Sequence, residues 1–244
     1  VKENEPPPKR YNWYYDVSGR RIDFIKGEQV SWGIELKIPI DSTERKKLKK
    51  HLSLVIPENI DHLCLLDMNP QESLPEKLRT FDIAIGDDEM GNLKTMFRGP
   101  SGRRVEIEDL FNAILGKNRR EKKIFNSLIS ESRGREIVFI IGHSGDDPWR
   151  IGEQSDEFKG KRHGKNWGPF KQKPRNEVSV RTLLEYYNDS SKYAAILIAA
   201  CYFGLRGPSS INVPVFYVSG VVYGSNSLNN HPPTEVVYPR KKKV

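Results

Sequence analysis

A chain of 244 residues has room for one sizeable domain plus a small appendage, and 36% hydrophobic with 30% charged residues is the balance of a globular chain, which excludes extended disorder. The formal net charge of +8 is concentrated in runs at 44–50, 117–123, 159–175 and 240–243, which read as solvated faces, with polyanion binding as the sharper alternative. No apolar run approaches the ~20 residues that cross a bilayer, no signal-peptide pattern is visible, and two cysteines, Cys64 and Cys201, make no disulfide framework, so the expected setting is cytoplasmic with no membrane partner.

The chain opens on Pro6-Pro7-Pro8 followed by Tyr11, Trp13, Tyr14 and Tyr15, which predict an extended leader pinned to the body by its aromatics. Ile34–Ile38 alternates apolar and charged residues, the pattern of a half-exposed strand. Asp41–Leu52 predicts a charged helix capped by Asp41 or Ser42. Residues 1–55 are therefore expected to form an N-terminal extension or small subdomain packed on the core, with the main domain at 56–244.

From there the pattern becomes α/β. His62–Leu66 and Phe81–Ile85 read as short strands. Ile107, Leu110, Phe111, Ile114 and Leu115 recur at helical spacing up to Gly116, and Ile124, Phe125, Leu128 and Ile129 mark a second helix or a continuation. Ile137–Ile141 is a dense β-branched run, the signature of a strand buried on both faces. The polar, Gly- and Lys-rich stretch Asp146–Asn176 reads as a surface loop without regular structure. Val178–Tyr187 predicts a short helix capped by Ser179 or Thr182, Ala194–Ala200 another buried strand, and Val213–Val222 a further one. Strands alternating with helices imply a mainly parallel central sheet with helices on both faces.

Two of these strands run into catalytic residue types. Ile137–Ile141 leads into Gly142-His143-Ser144-Gly145-Asp146, and Ala195–Ala200 into Cys201-Tyr202-Phe203-Gly204. In an open parallel sheet, reactive groups collect where strands end at the carboxyl edge. A free thiol has a pKa near ~8.5, so it needs a neighbouring imidazole to take its proton and later protonate a leaving amine. Small residues beside the imidazole free backbone amides for an oxyanion: Ser144 and Gly145 supply one donor and the Cys201 amide the other.

This pattern resembles the caspase-like cysteine peptidases, the family of caspases, gingipains, separase, CHAT proteases and toxin self-processing domains. They share a strand ending in a His-Gly-type turn and, some tens of residues later, a strand ending in Ala-Cys before a Gly-containing turn. Here Cys201 follows His143 by 58 residues. Phe81–Asp88, the helix at 106–115 and the strand into His143 are similar to the strand–helix–strand order that leads to the family's histidine. Val213–Gly224 is similar to the strand whose far end lines the substrate cleft. The likeness spans roughly residues 60–228 and leaves out 1–55. Ala199-Ala200-Cys201 carries neither the Gln of caspases nor the Asp of metacaspases, and its look is closest to CHAT proteases.

The resemblance implies a caspase-like three-layer sandwich and a cysteine endopeptidase acting on protein substrates. Cys201 would be the nucleophile and His143 its base, with Asp146 and Asp147 reading a basic side chain. Ser219, Gly220, Val221 and Tyr223 would hold the substrate. Control by a partner, by a polyanionic activator or by autoprocessing near Lys159–Arg175 is expected, and no cofactor. The alternative is a non-catalytic module on the same fold whose basic surface binds nucleic acid or an anionic partner. Other chemistries fit less well. A nucleophile elbow at Ser144 needs Gly where Asp146 stands. His51, His62, His163 and His231 are scattered without metal-ligand spacing, and Cys64 reads as a core thiol.

Overall fold

The computed structural model describes residues 19–27, 29–68, 83–87, 93–97, 107–116, 119–142, 150–153, 175–200, 211–218 and 234–239. In chain order the elements are β1 (Gly19–Lys26), β2 (Gln29–Pro39), α1 (Ser42–Lys47, prolonged by a π-helical turn Leu48–Leu52), β3 (His62–Asp67), β4 (Ile83–Asp87), β5 (Leu93–Phe97), α2 (Ile107–Leu115), α3 (Arg119–Ser130), β6 (Glu136–Ile141), β7 (Arg150–Glu153), β8 (Arg175–Ser179), α4 (Val180–Tyr186), β9 (Tyr193–Ala199), β10 (Val215–Val218) and β11 (Thr234–Val237). A mixed seven-stranded sheet, ordered β1-β2-β3-β6-β9-β10-β11, forms the centre. Strands β3, β6, β9 and β10 are mutually parallel, and antiparallel neighbours flank them on both sides. The leader 1–18, with its prolines and aromatics, lies outside the described residues.

The central strands hold their places because every described side chain of β6 and β9 is buried. A strand apolar on both faces gains most where both faces are covered. Alternation then divides the core in two. Leu63, Leu65, Ile137, Phe139 and Leu197 point to one face, where α2 and α3 lie. Cys64, Leu66, Val138, Ile140, Ile196 and Ile198 point to the other, under Val180, Leu183 and Leu184 of α4. On the first face Phe111, Phe125 and Phe216 form an edge-to-face chain with centroid spacings of 5.7 and 5.4 Å, which locks α2, α3 and β10 together.

Local signals fix the helix ends. The Asp41 carboxylate accepts from the backbone N–H groups of Thr43 and Glu44, both at 2.8 Å, and Ser53 ends the π turn in the left-handed region at φ 59°. The Arg45 guanidinium donates to the carbonyls of Ile56, Pro57 and Ile60, holding the connection that feeds β3. Ser179 caps α4 by accepting from the Thr182 N–H at 3.1 Å.

Three expectations differ from what is observed. The strand expected at Phe81–Ile85 lies, as far as it is described, in a separate two-stranded pairing of β4 with β5, and the neighbour of β6 is β3. β3 offers four consecutive apolar residues, Leu63–Leu66, all buried, whereas the apolar run of β4 is three residues, Ile83–Ile85, followed by Gly86. The stretch 146–176 is not wholly irregular, since Arg150–Glu153 and Arg175–Ser179 pair antiparallel. Of the described side chains of that ribbon, Ile151 and Val178 enter the core, too few to announce strands. Finally, β1 and β2, which precede position 55, are strands of the main sheet, Ile34–Pro39 of β2 pairing with the whole of β3.

Joining β2 to the sheet buries Glu35 at 2% exposure, and its carboxylate must be satisfied there. Arg20 Nε donates to Oε1 at 2.8 Å and the Tyr187 hydroxyl donates to Oε2 at 2.9 Å. Burial opposes the charge, but hydrogen bonds from Arg20, Cys64 and Tyr187 outweigh it and hold the Glu35 carboxyl below the ordinary value of 4.5. A lowered folded-state pKa contributes stability above the unfolded value and loses it as pH falls through the folded one. Tyr187→Phe removes one donor from this buried carboxylate and is expected to cost about 1–3 kcal/mol in urea unfolding at pH 7. The loss shrinks in acid as pH falls through the Glu35 folded-state value; a loss that stays undiminished all the way to the acid unfolding transition would contradict this account.

Candidate functional site

Because β3, β6, β9 and β10 run the same way, their carboxyl ends share one edge of the sheet. Asp67, Ile141 and Ala199 stand in one row across β3, β6 and β9. Two backbone bonds extend the row: the Met68 N–H donates to the Ile141 carbonyl at 2.8 Å, and the Gly142 N–H donates to the Ala199 carbonyl at 3.3 Å. His143 is the residue after Gly142, and Cys201 is the residue after Ala200. The two strands that precede the expected base and nucleophile are therefore direct neighbours, in parallel and in register.

The candidate residues His143, Ser144, Gly145, Asp146, Asp147, Cys201, Ser219, Gly220, Val221 and Tyr223 themselves lie outside the described residues. So do Arg240–Lys243 and most of Lys159–Arg175, the basic run expected to be processed. What is described is the frame from which they depart: Gly142, Ala200 and Val218.

That frame is tightly packed. A Cβ on Gly142 would lie 2.3 Å from Ile151 Cγ2 and 3.1 Å from Met68 Cβ, so only glycine lets β7 settle on the end of β6. Gly33 plays the matching part on β2, where a Cβ would meet Met68 Sδ at 2.7 Å and the Asp67 carbonyl at 2.9 Å. The ion pair of Arg150 with Glu177 ties β7 to β8, and the ribbon is anchored to β2 by the Ser31 hydroxyl, which donates to the Glu177 carbonyl at 2.6 Å.

Sequence reasoning missed one ionisable group at this edge. Asp67 is fully buried at the last position of β3, and its signal was an acid that closes an otherwise apolar strand. The other thiol is unsuited to chemistry: burial, then the neighbouring Glu35 charge, push Cys64 far above the ordinary range. Cys64 is thus a neutral core thiol. Among the described residues no group of three or more His, Cys, Asp or Glu is placed to hold a metal ion, and no helix is long and apolar enough to cross a membrane.

No family model, curated protein or solved structure matches this chain.

The contact between Gly142 and Ile151 is testable. Gly142→Ala is expected to destabilise the fold by about 1–3 kcal/mol, because the β-branched Ile151 has little rotamer freedom with which to yield. Ile151→Ala introduced with it should relieve the clash, so urea unfolding should give a double variant less impaired than the two single changes predict together. Strict additivity would show that the two residues do not meet.

Proposed function

We propose that the chain is a cysteine endopeptidase on a caspase-like fold, with Cys201 as nucleophile and His143 as its acid–base partner. The observation that carries this reading is the parallel, in-register pairing of β6 with β9 up to Gly142 and Ala199. Adjacent strands lie ~4.8 Å apart and each peptide unit advances the chain by ~3.8 Å, so covalent geometry alone keeps the Cα atoms of His143 and Cys201 within about 12 Å. That is the range from which an imidazole and a thiol can meet. Helices on both faces of the sheet and the parallel order of β3, β6, β9 and β10 also suit the family.

On this reading the imidazole takes the Cys201 proton, and the thiolate sulfur attacks the scissile carbonyl carbon. The carbonyl π electrons move onto oxygen, where amides near Gly145 and Cys201 stabilise the charge. The tetrahedral species collapses, the C–N bond breaks, and the imidazolium gives its proton to the departing amine. Water, deprotonated by His143, then attacks the thioester and releases the second product with the thiol restored.

Substrate placement follows from the sheet. Between Val215 and Val218, β10 already pairs with β9 on one side and β11 on the other. Along β10 an added substrate strand could therefore pair only beyond Val218, which fits a cleft formed by Ser219, Gly220, Val221 and Tyr223. Asp146 and Asp147, close after His143, would favour a basic side chain in the substrate.

Alkylation with iodoacetamide tests the dyad. Cys201 should react at least tenfold faster than an ordinary free thiol at pH 7, and His143→Ala should remove most of that advantage, while the buried Cys64 stays unlabelled in the folded protein. A peptide library should be cleaved by the wild type and left intact by Cys201→Ala. A Cys201 no faster than an ordinary free thiol, with no cleavage, would instead favour a non-catalytic module that uses its basic surface for an anionic partner.

A further inference from the structure

Three helical segments cover one face of the sheet. Leu48 and Leu52 of the π turn, Phe111 and Ile114 of α2, and Phe125 and Ile129 of α3 all sink into the same core, so α1 with its π turn, α2 and α3 form one layer. Asn126 stitches that layer together: its side-chain carbonyl accepts from the Val55 N–H at 3.0 Å, and its amide nitrogen donates to the Ser53 carbonyl at 2.9 Å. His51 Nδ1 meets Glu108 Oε2 at 2.9 Å, which ties the π turn to α2.

With their apolar sides spent on the core, these helices turn cations outward. Residues 41–53, 107–115 and 119–130 together hold nine Lys and Arg against five Asp and Glu. Of those acids, Asp41 caps α1, Glu44 pairs with Lys47 and Glu108 faces His51. Lys46, Lys49, Lys50, Arg119 and Lys123 are all exposed. Lys49 and Lys50 lie one turn before Ser53, and Lys123 lies one turn before Asn126. A turn rises about 5.4 Å and the two junction residues touch, so the backbones that carry these lysines lie within about 20 Å of one another. Arg119 and Arg120 open α3 beside a single acid, Glu121, although the positive end of the helix dipole disfavours cations there and favours anions.

The surroundings of the cations select the kind of anion. Among the described residues the exposed aromatic side chains are Tyr186 and Tyr238, and neither belongs to this layer, so unpaired bases find no stacking platform on it. Of the exposed large apolar side chains described, Val55 alone lies here, too little to insert among lipid headgroups. Cations spread over two helices, with neither platform nor wedge, suit a regular line of phosphates, and a duplex supplies one charge per ~1.7 Å of its axis.

We infer that the outer face of α1, its π turn and α3 binds the sugar–phosphate backbone of a double-stranded nucleic acid, without reading its bases. Lys46, Lys49, Lys50, Arg119 and Lys123 make the contacts. This surface goes beyond the peptidase reading and does not rest on it, because none of these residues belongs to the strand-end site.

Fluorescence anisotropy with a DNA duplex, an RNA duplex and a single strand of one mixed sequence tests the inference, and the two duplexes distinguish the sources of that backbone. Neutralising about four phosphates gives a salt slope near −3.6, so duplex affinity should fall about 150-fold between 50 and 200 mM salt. Lys49→Gln with Lys50→Gln should weaken binding about tenfold and reduce the slope by about 2, and Arg119→Gln with Lys123→Gln should do the same. Arg181→Gln removes an exposed cation from α4, on the other face of the sheet, and should change neither. Unchanged affinity and slope in both paired variants would overturn the inference. So would a wild type that binds neither duplex at about 50 mM salt, or that prefers the single strand or phosphatidylserine vesicles. Should the variants fail to fold, acetylation of wild-type lysines decides. The duplex should protect Lys46, Lys49, Lys50 and Lys123 but not Lys37 at the amino edge of the sheet, and equal protection refutes the surface. Cys201 reactivity enters none of these readouts, so failure of the peptidase reading would leave them intact.

Discussion

The parallel ladder between β6 and β9 is the constraint on which the rest of the molecule depends. It aligns Ile137 through Ile141 with Ala195 through Ala199 and ends in the bond from the Gly142 N–H to the Ala199 carbonyl. A slip of one residue would turn every side chain of one strand to the opposite face and break both cores at once. Burial on both sides therefore fixes register more firmly than any single hydrogen bond. The same register decides which residues leave the sheet together.

Anchoring at the amino edge reinforces this. The Arg135 and Glu136 N–H groups donate to the Lys192 carbonyl at 2.9 and 3.1 Å, and the Asp61 N–H donates to the Arg135 carbonyl at 2.9 Å. The side chains of Arg135 and Asp61 pair across the same edge. Strands β3, β6 and β9 thus start together as well as run together. With their starts tied and their middles packed, their carboxyl ends have little freedom to drift apart, which is what a site assembled from separate strands requires.

Much of this frame was legible because its signals are local. The β-branched run Ile137–Ile141 and the apolar run Ala194–Ala200 announce buried strands, and Asp41 and Ser179 announce the helix starts that they cap. The β1 strand also carried a readable alternation, with Ile22 and Phe24 buried between charged Arg21, Asp23 and exposed Ile25, but its high charge masked it. What no local pattern reveals is partnership. β3 rather than β4 lies beside β6 because it offers more apolar surface, and that competition is settled only when the whole sheet is assembled. Asp67 was overlooked for a related reason: a single acid after five residues of strand reads as a terminator until its neighbour across the ladder is known.

The placement of chemistry at strand ends also follows from the interior itself. Between Ile137 and Ile141, and between Ala194 and Ala200, neither central strand carries an ionisable side chain. Where the core does admit one, it either neutralises it or surrounds it. Cys64, in the middle of β3, is held as a neutral thiol by burial and by the Glu35 charge beside it, and Glu35 keeps its own charge only with Arg20, Cys64 and Tyr187 arranged around it. A thiol that must ionise at neutral pH needs the reverse environment, with a cation in place of an anion and hydrogen-bond donors in place of hydrocarbon. Such an environment is incompatible with the middle of a two-sided hydrophobic ladder. A sheet of this kind can therefore carry a reactive thiol only beyond the last apolar pair of its central strands, and Cys201 follows Ala200 at that point.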